Sequence, residues 1–406
     1  MYLRFLNVFL FGISSGIPFL LILSTLIVWL TESGLNKLQI SLFSYTTISY
    51  SFKFFLSIFI EKIKIPFLYK NLGHRKSWLL FSQFMLFLGL IGIGMTNPML
   101  NYKFTAFFSF LVGFFSAIQD ILIEAYRIEI FKNNNIGYGV SISILGYRIG
   151  MLISSAGTIF FVILFNSWSL AYFLMAFFLI ICILNTIFSF EPVNNFSYLP
   201  INGNFFYILK FSILEFSKNY NLLIILIFII FFRSIDVMIN IMLIPFLIEI
   251  GFNRIDIAYT CKSYGILAMI IGVILGGFLV SKNRIWSLLL ICSFLQIFSC
   301  VLFIFQAFLK KNIFFLFVTI GFENFISGIS QVVFITYLSF LCKFGYTAIH
   351  YSFFSSISSF SRINFSLFSG IIAENLIWEH YFFVISFFGF PSIFLLIKYF
   401  KFFIIK

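Results

Sequence analysis

Twelve times along the chain an apolar run is followed by a polar break, and that recurrence leaves few folds open. An α-helix needs about 20 mostly apolar residues to cross the hydrocarbon layer, where every backbone N–H and C=O must be satisfied within the segment. The runs fall at 5–30, 40–60, 77–96, 104–125, 139–165, 169–190, 222–250, 257–280, 285–308, 313–341, 348–373 and 381–400. With 62% of the 406 residues hydrophobic and only 10% charged, no stretch remains for a soluble domain. The first run, behind Arg4, is longer than the apolar core of a secretory signal and lacks a small-x-small cleavage site, so it reads as a retained span. The expected fold class is an all-α membrane protein of twelve transmembrane helices. Its longest polar interruption, 191–221, comes after the sixth run and predicts two six-helix halves, 1–190 and 222–406, joined by a central loop.

Basic residues set the expected orientation, because Lys and Arg concentrate in cytoplasmic loops. With both termini in the cytoplasm, sixteen of the 26 Lys and Arg residues fall on that side and five outside; the other five lie within spans. The same bias accounts for the net charge of +13 as loops facing anionic lipid, so no nucleic-acid partner is expected. Five scattered cysteines and three isolated histidines form neither a disulfide framework nor a metal cluster. No phosphate-binding G-x-x-x-x-G-K-[ST] loop is present to hold ATP, and no cofactor is expected.

The five basic residues inside spans are Lys53, Arg148, Arg233, Lys262 and Arg362. A charge at the bilayer centre costs at least about 2.5–3.5 kcal/mol, so such side chains face a polar interior or an opposite charge. The acidic candidates to balance them are Asp120, Glu124, Asp236 and Glu323. Arg233 and Asp236 are three apart and can pair on one helical face, whereas Lys53 and Lys262 lie near span ends and can snorkel. In "SAIQDILIEAYRIEIF" (116–131), Asp120, Glu124 and Arg127 share one helical stripe and Glu129 projects from roughly the opposite side. Two roles stay open for the stripe: a latch tied to basic groups of the loop 61–76, or a carboxyl that takes up and releases a proton. Gly272 and Gly276 of "GVILGG" have the spacing that lets helices approach closely.

Read together, "SSGIP" (14–18), "FKF" (52–54), "GHRKSWLL" (73–80), the 116–130 stretch, "SISILGYRIGMLIS" (141–154), "FFRSIDV" (231–237), "GFENFISG" (321–328) and "SSFSRINFSLFSG" (358–370) follow a family pattern in order. The chain resembles the AmpG family of muropeptide permeases of the major facilitator superfamily. That resemblance implies two six-helix bundles in the bacterial inner membrane. It also implies import of anhydromuropeptides, sugar-peptide fragments of the cell wall, by proton symport. No obligate protein partner is inferred. By position the resemblance implies substrate-binding roles for Arg148, Arg362, Gln119, Lys53, Lys262, Glu323 and Asn324. Proton-coupling or gating roles fall to Asp120, Glu124, Arg233 and Asp236. A net-basic cavity suits such a cargo, since guanidinium groups fork onto lactyl and peptide carboxylates and sugar rings pack on Trp29, Tyr45, Tyr147 or Tyr264. Three rival readings are the same fold carrying another amphiphilic anion, a non-transporting sensor or scaffold, and a membrane-embedded transferase using Asp120 and Glu124 as acid and base.

Overall fold

A computed structural model of the chain describes residues 2–35, 39–40, 43–131, 135–192, 221–343 and 345–399. Ten of its helices are long and apolar enough to cross a membrane: α1 (Tyr2–Glu32), α4 (His74–Met95), α5 (Pro98–Ile130), α6 (Asn135–Phe165), α7 (Trp168–Phe188), α8 (Leu222–Glu249), α9 (Ile255–Lys282), α10 (Ile285–Leu309), α11 (Ile313–Leu341) and α13 (Trp378–Lys398). Each covers one of the expected apolar runs. Of the expected central loop, only Glu191, Pro192 and Asn221 are among the described residues.

The two remaining runs are helical without meeting that standard, for different reasons. Run 40–60 is split: Phe43–Tyr50 winds as a 3-10 helix, and α2 (Lys53–Lys62) begins after a two-residue turn. The stretch "SYTTISYS" supplies the cause, because hydroxyls compete for the backbone, as where Thr46 Oγ1 donates to Phe43 O at 2.7 Å. After α2 comes the short α3 (Leu68–Leu72). Run 348–373 is one continuous helix, α12 (Thr347–Asn375), of 29 residues with eight serines, so it is long enough to span but too polar to score as apolar.

Local chemistry fixes the helix ends. Asn97 Oδ1 accepts from Met99 N at 3.0 Å ahead of Pro98, capping α5, and Ser167 caps α7 after Asn166 closes α6 in the left-handed region. Gly73, at φ +85°, turns the chain into α4, whose first N–H groups are capped by Glu191: its carboxylate accepts from Arg75 N at 2.8 Å and Lys76 N at 3.0 Å. Three helices contain a π-helical turn, Leu21–Thr25 in α1, Ile153–Gly157 in α6 and Ala258–Tyr264 in α9. The first two meet where Thr25 Oγ1 donates to Ser154 O at 3.1 Å.

The chain divides into two compact units. The first is drawn from Met1–Lys132, Ile142–Ser212 and Cys342–Ser356. Its core joins Ile17, Leu21 and Leu26 of α1, Leu86 and Leu90 of α4, Val112 of α5, and Met175 and Leu179 of α7. Within it α1 and α6 cross at backbone contact. A Cβ on Gly12 would lie 2.4 Å from Ser143 O, and one on Gly146 would lie 2.2 Å from Phe9 O. The second unit is drawn from Asn133–Ser141, Ile213–Leu341 and Ile357–Lys406, around Met238, Phe246, Phe303, Leu316 and Phe382. There α9 and α11 touch at Gly272, where a Cβ would lie 2.2 Å from Phe325 O. The glycine spacing of α9 therefore marks a real close approach.

Candidate functional site

In the first unit the polar residues of α5 reach α1, α2, α4 and α12. Lys53, the first residue of α2, places its Nζ 2.9 Å from Asp120 Oδ2 and 5.2 Å from the Tyr50 ring centre. Ser15 of α1 donates to the other carboxylate oxygen, Asp120 Oδ1. Asp120 thus joins α1, α2 and α5 through both oxygens, and Lys53 is an ion-pair partner rather than a snorkelling side chain. Its neighbour Gln119 is fully buried and engaged with Ser14: Nε2 donates to Ser14 O at 2.8 Å, and Ser14 Oγ donates to Oε1 at 3.2 Å. Gln83 and Thr186 extend that network into α4 and α7, with Thr186 Oγ1 donating to Gln83 Oε1 at 2.7 Å.

One turn on, Glu124 faces both Lys53 and Arg127 as well as Asp120, and its Oε2 is buried with no hydrogen-bond partner among the described residues. Arg127 lies over the Tyr351 ring at 5.5 Å. Glu129 projects away, as the helical spacing required, and it is this residue that meets the 61–76 segment. Arg75 Nη2 and Nε reach Glu129 at 2.7 and 3.1 Å, and Nη2 lies 2.7 Å from Glu61 Oε1. The charge bridge to that segment thus runs through Glu129, while Asp120 takes Lys53.

The second unit holds a separate polar group at the break in α8. Arg233 has non-helical torsions (φ −106°, ψ 12°) and its guanidinium pairs with Asp236 in the first turn of the helix that follows. Asn240, one turn further, donates Nδ2 to Asp236 O at 2.8 Å and to Glu323 Oε1 at 3.0 Å. Glu323 on α11 is 3% exposed, and its Oε2 is buried without a hydrogen-bond partner among the described residues. Asn324 donates to Ile320 O of its own helix at 3.0 Å. Arg148 is half-buried on α6, directly after the Gly146 crossing, and Arg362 is exposed on α12. The side chain of Lys262 lies outside the described residues; its backbone belongs to the π turn of α9.

Thus Lys53, Asp120 and Glu124 come together in one unit, and Arg233, Asp236 and Glu323 in the other. The sequence reading missed Ser15, Asn240 and the Glu129–Arg75–Glu61 bridge. Ser15 is one of two adjacent serines in "SSGIP", and Asn240 stands four residues after Asp236, a spacing that would have placed both on one face. Of the proposed sugar-stacking rings, Trp29 is a core residue stacked on Trp168 at 5.9 Å, whereas Tyr45 is exposed. None of the five cysteines forms a disulfide among the described residues, and Cys182, Cys292 and Cys300 are buried as packing residues.

The arrangement of long apolar helices around buried charged groups has clear relatives. The sequence profile of the Major Facilitator Superfamily matches residues 4–363. Among solved structures, the proton:xylose symporter XylE superposes with a TM-score of 0.72 over 98% of this chain and 95% of its own, at 12% identity. FucP, a major facilitator transporter in the outward conformation, gives 0.69 at 11% identity, covering 97% of each chain. A candidate transporter of Rickettsia bellii, AmpG 1, is 32% identical over 396 residues, covering 96% of this chain and 97% of the relative. AmpG 4 of Rickettsia conorii is likewise 32% identical, over 97% of this chain and 95% of the relative. The chain belongs to the major facilitator superfamily and, within it, to the AmpG transporters. It is a multi-pass membrane transporter.

Proposed function

We propose that this transporter imports anhydromuropeptides across the bacterial inner membrane by proton symport, with both termini in the cytoplasm. The observation that carries the reading is the near-full-length match to AmpG relatives, at 32% identity for the Rickettsia bellii chain. The charged residues within the helices fit such a cargo. Arg148 and Arg362 offer planar forks for lactyl and peptide carboxylates, contacts that point charges on lysine reproduce poorly. Asp120, held by Lys53 at 2.9 Å, ties α2 to α5 and is suited to a gating role, since a single protonation or displacement would release the bond. The sixteen-to-five bias of basic residues supports the orientation.

The test is uptake of radiolabelled anhydromuropeptide into proteoliposomes holding the purified protein. Label should accumulate, and unlabelled cargo should compete while the same disaccharide stripped of its carboxylates does not. Uptake equal to that of empty vesicles, with another amphiphilic anion accumulated instead, would replace the cargo while leaving transport in place.

A further inference from the structure

We infer that Glu323, in the second unit, is a proton-binding site: it holds a proton at neutral pH and gives it up during transport, with Asp236, paired to Arg233, as its neighbour. The inference deepens the symport reading and rests on it. Its basis is a local imbalance of charge. Around α8 and α11 the described residues place two carboxyl groups, Asp236 and Glu323, beside one guanidinium, Arg233. Arg233 pairs with Asp236, which also sits in the first turn of the helix Ser234–Glu249, where the helix dipole favours a negative charge. Asp236 thus has a paired guanidinium and a helix N-terminus beside it. Glu323, mid-helix on α11 and 3% exposed, is paired with no cation among the described residues and feels Arg233 only past Asp236.

The hydrogen bonds fit a neutral acid. Asn240 Nδ2 donates to Glu323 Oε1 at 3.0 Å, which suits a carbonyl-type oxygen, and Oε2 is left buried without a hydrogen-bond partner among the described residues. An unpaired carboxylate there would bury a charge against a second negative charge, at a cost of several kcal/mol, and protonation at Oε2 removes it. Besides Asp236 and Arg233, the titratable group facing Glu323 among those described is the Cys300 thiol of α10, which brings no positive charge. Glu124 of the first unit also has an unpartnered buried oxygen, but it faces two cations, Lys53 and Arg127, against one other carboxylate, a balance of charge that Glu323 lacks. The same amide that binds Glu323 also binds Asp236 O, so release of the proton would disturb the turn at the α8 break.

Infrared spectroscopy of the lipid-reconstituted protein, titrated from neutral to alkaline pH without cargo, reads the site directly. The wild type should show the carbonyl stretch of a buried carboxylic acid that disappears on titration. The band should be shifted in E323D and absent in E323Q. A band that survives in E323Q puts the proton elsewhere and overturns the inference, as does a wild type that lacks the band or never titrates it. So does an E323Q protein that has lost the band yet concentrates cargo along a pH gradient as the wild type does, because the proton would then be structural only. No cargo enters the infrared arm, so a wrong cargo shows as absent uptake with the band intact.

Discussion

Lys53 and Asp120 hold opposite charges 2.9 Å apart, both nearly buried, in the first unit. Both were legible as charges too costly to leave unpaired in a membrane, but not as each other's partners, because 67 residues and a broken helix separate them. The match depends on where α2 starts, and that is set by hydroxyl-rich residues ahead of it that apolar periodicity does not register. Their mutual burial makes a stability prediction. Asp120→Asn strands the Lys53 ammonium, and breaking such a pair costs about 3–5 kcal/mol, so thermal unfolding in detergent should come markedly earlier. Replacing both groups, as in K53M/D120L, should recover most of that stability but not transport. A double variant no more stable than D120N would mean that Ser15 and Tyr50, rather than the ion pair, hold the site. For the arginines the expectation concerns binding: Arg148→Ala and Arg362→Ala should each weaken cargo affinity by about 10–100-fold, the worth of one charge-assisted contact, at unchanged membrane abundance, with lysine a poor rescue. Normal affinity in either alanine variant would make that arginine dispensable for binding.

Among the elements, glycine spacing was readable in α9 and passed over in α1 and α6, where Gly12 and Gly16 face Gly146 and Gly150. In sequence the two stretches carry other signals, "SSGIP" its motif and "LGYRIG" Arg148. Only the crossing shows that the glycines let α1 touch the backbone of α6 on either side of Arg148. Adding a methyl group there drives it into a carbonyl, so Gly146→Ala should lower stability by about 1–3 kcal/mol, read as an earlier thermal transition. Gly157→Ala, whose Cβ would meet Met175 Cε at 3.6 Å, is the control and should change little. Equal effects at the two positions would remove the crossing as the cause. Helix existence was legible almost throughout, because one long apolar run per helix is an unambiguous signal in a bilayer. The split second run and the serine-rich α12 were legible in place and not in form, since each exchanges apolar surface for hydroxyl groups.

For the whole molecule, the order of motifs along the chain was enough to point to the family; the relatives agree on it, and the profile on the superfamily. The cargo is less legible, because specificity depends on which side chains share a cavity wall, and that arises from contacts distant in sequence. The proposed orientation rests on charge bias: thiols engineered at Lys70 and Lys210 should react only from the cytoplasm, and those at Asn253 and Lys311 only from outside, with the reverse pattern defeating the assignment. Coupling is the central claim, and the most direct test of it is the accumulation ratio of labelled anhydromuropeptide in proteoliposomes with an acidic exterior, measured before and after a protonophore collapses the gradient. Proton symport predicts cargo concentrated inside while the gradient stands and mere equilibration once it is gone. Accumulation of the same size with no gradient, or no accumulation under either condition, would contradict it.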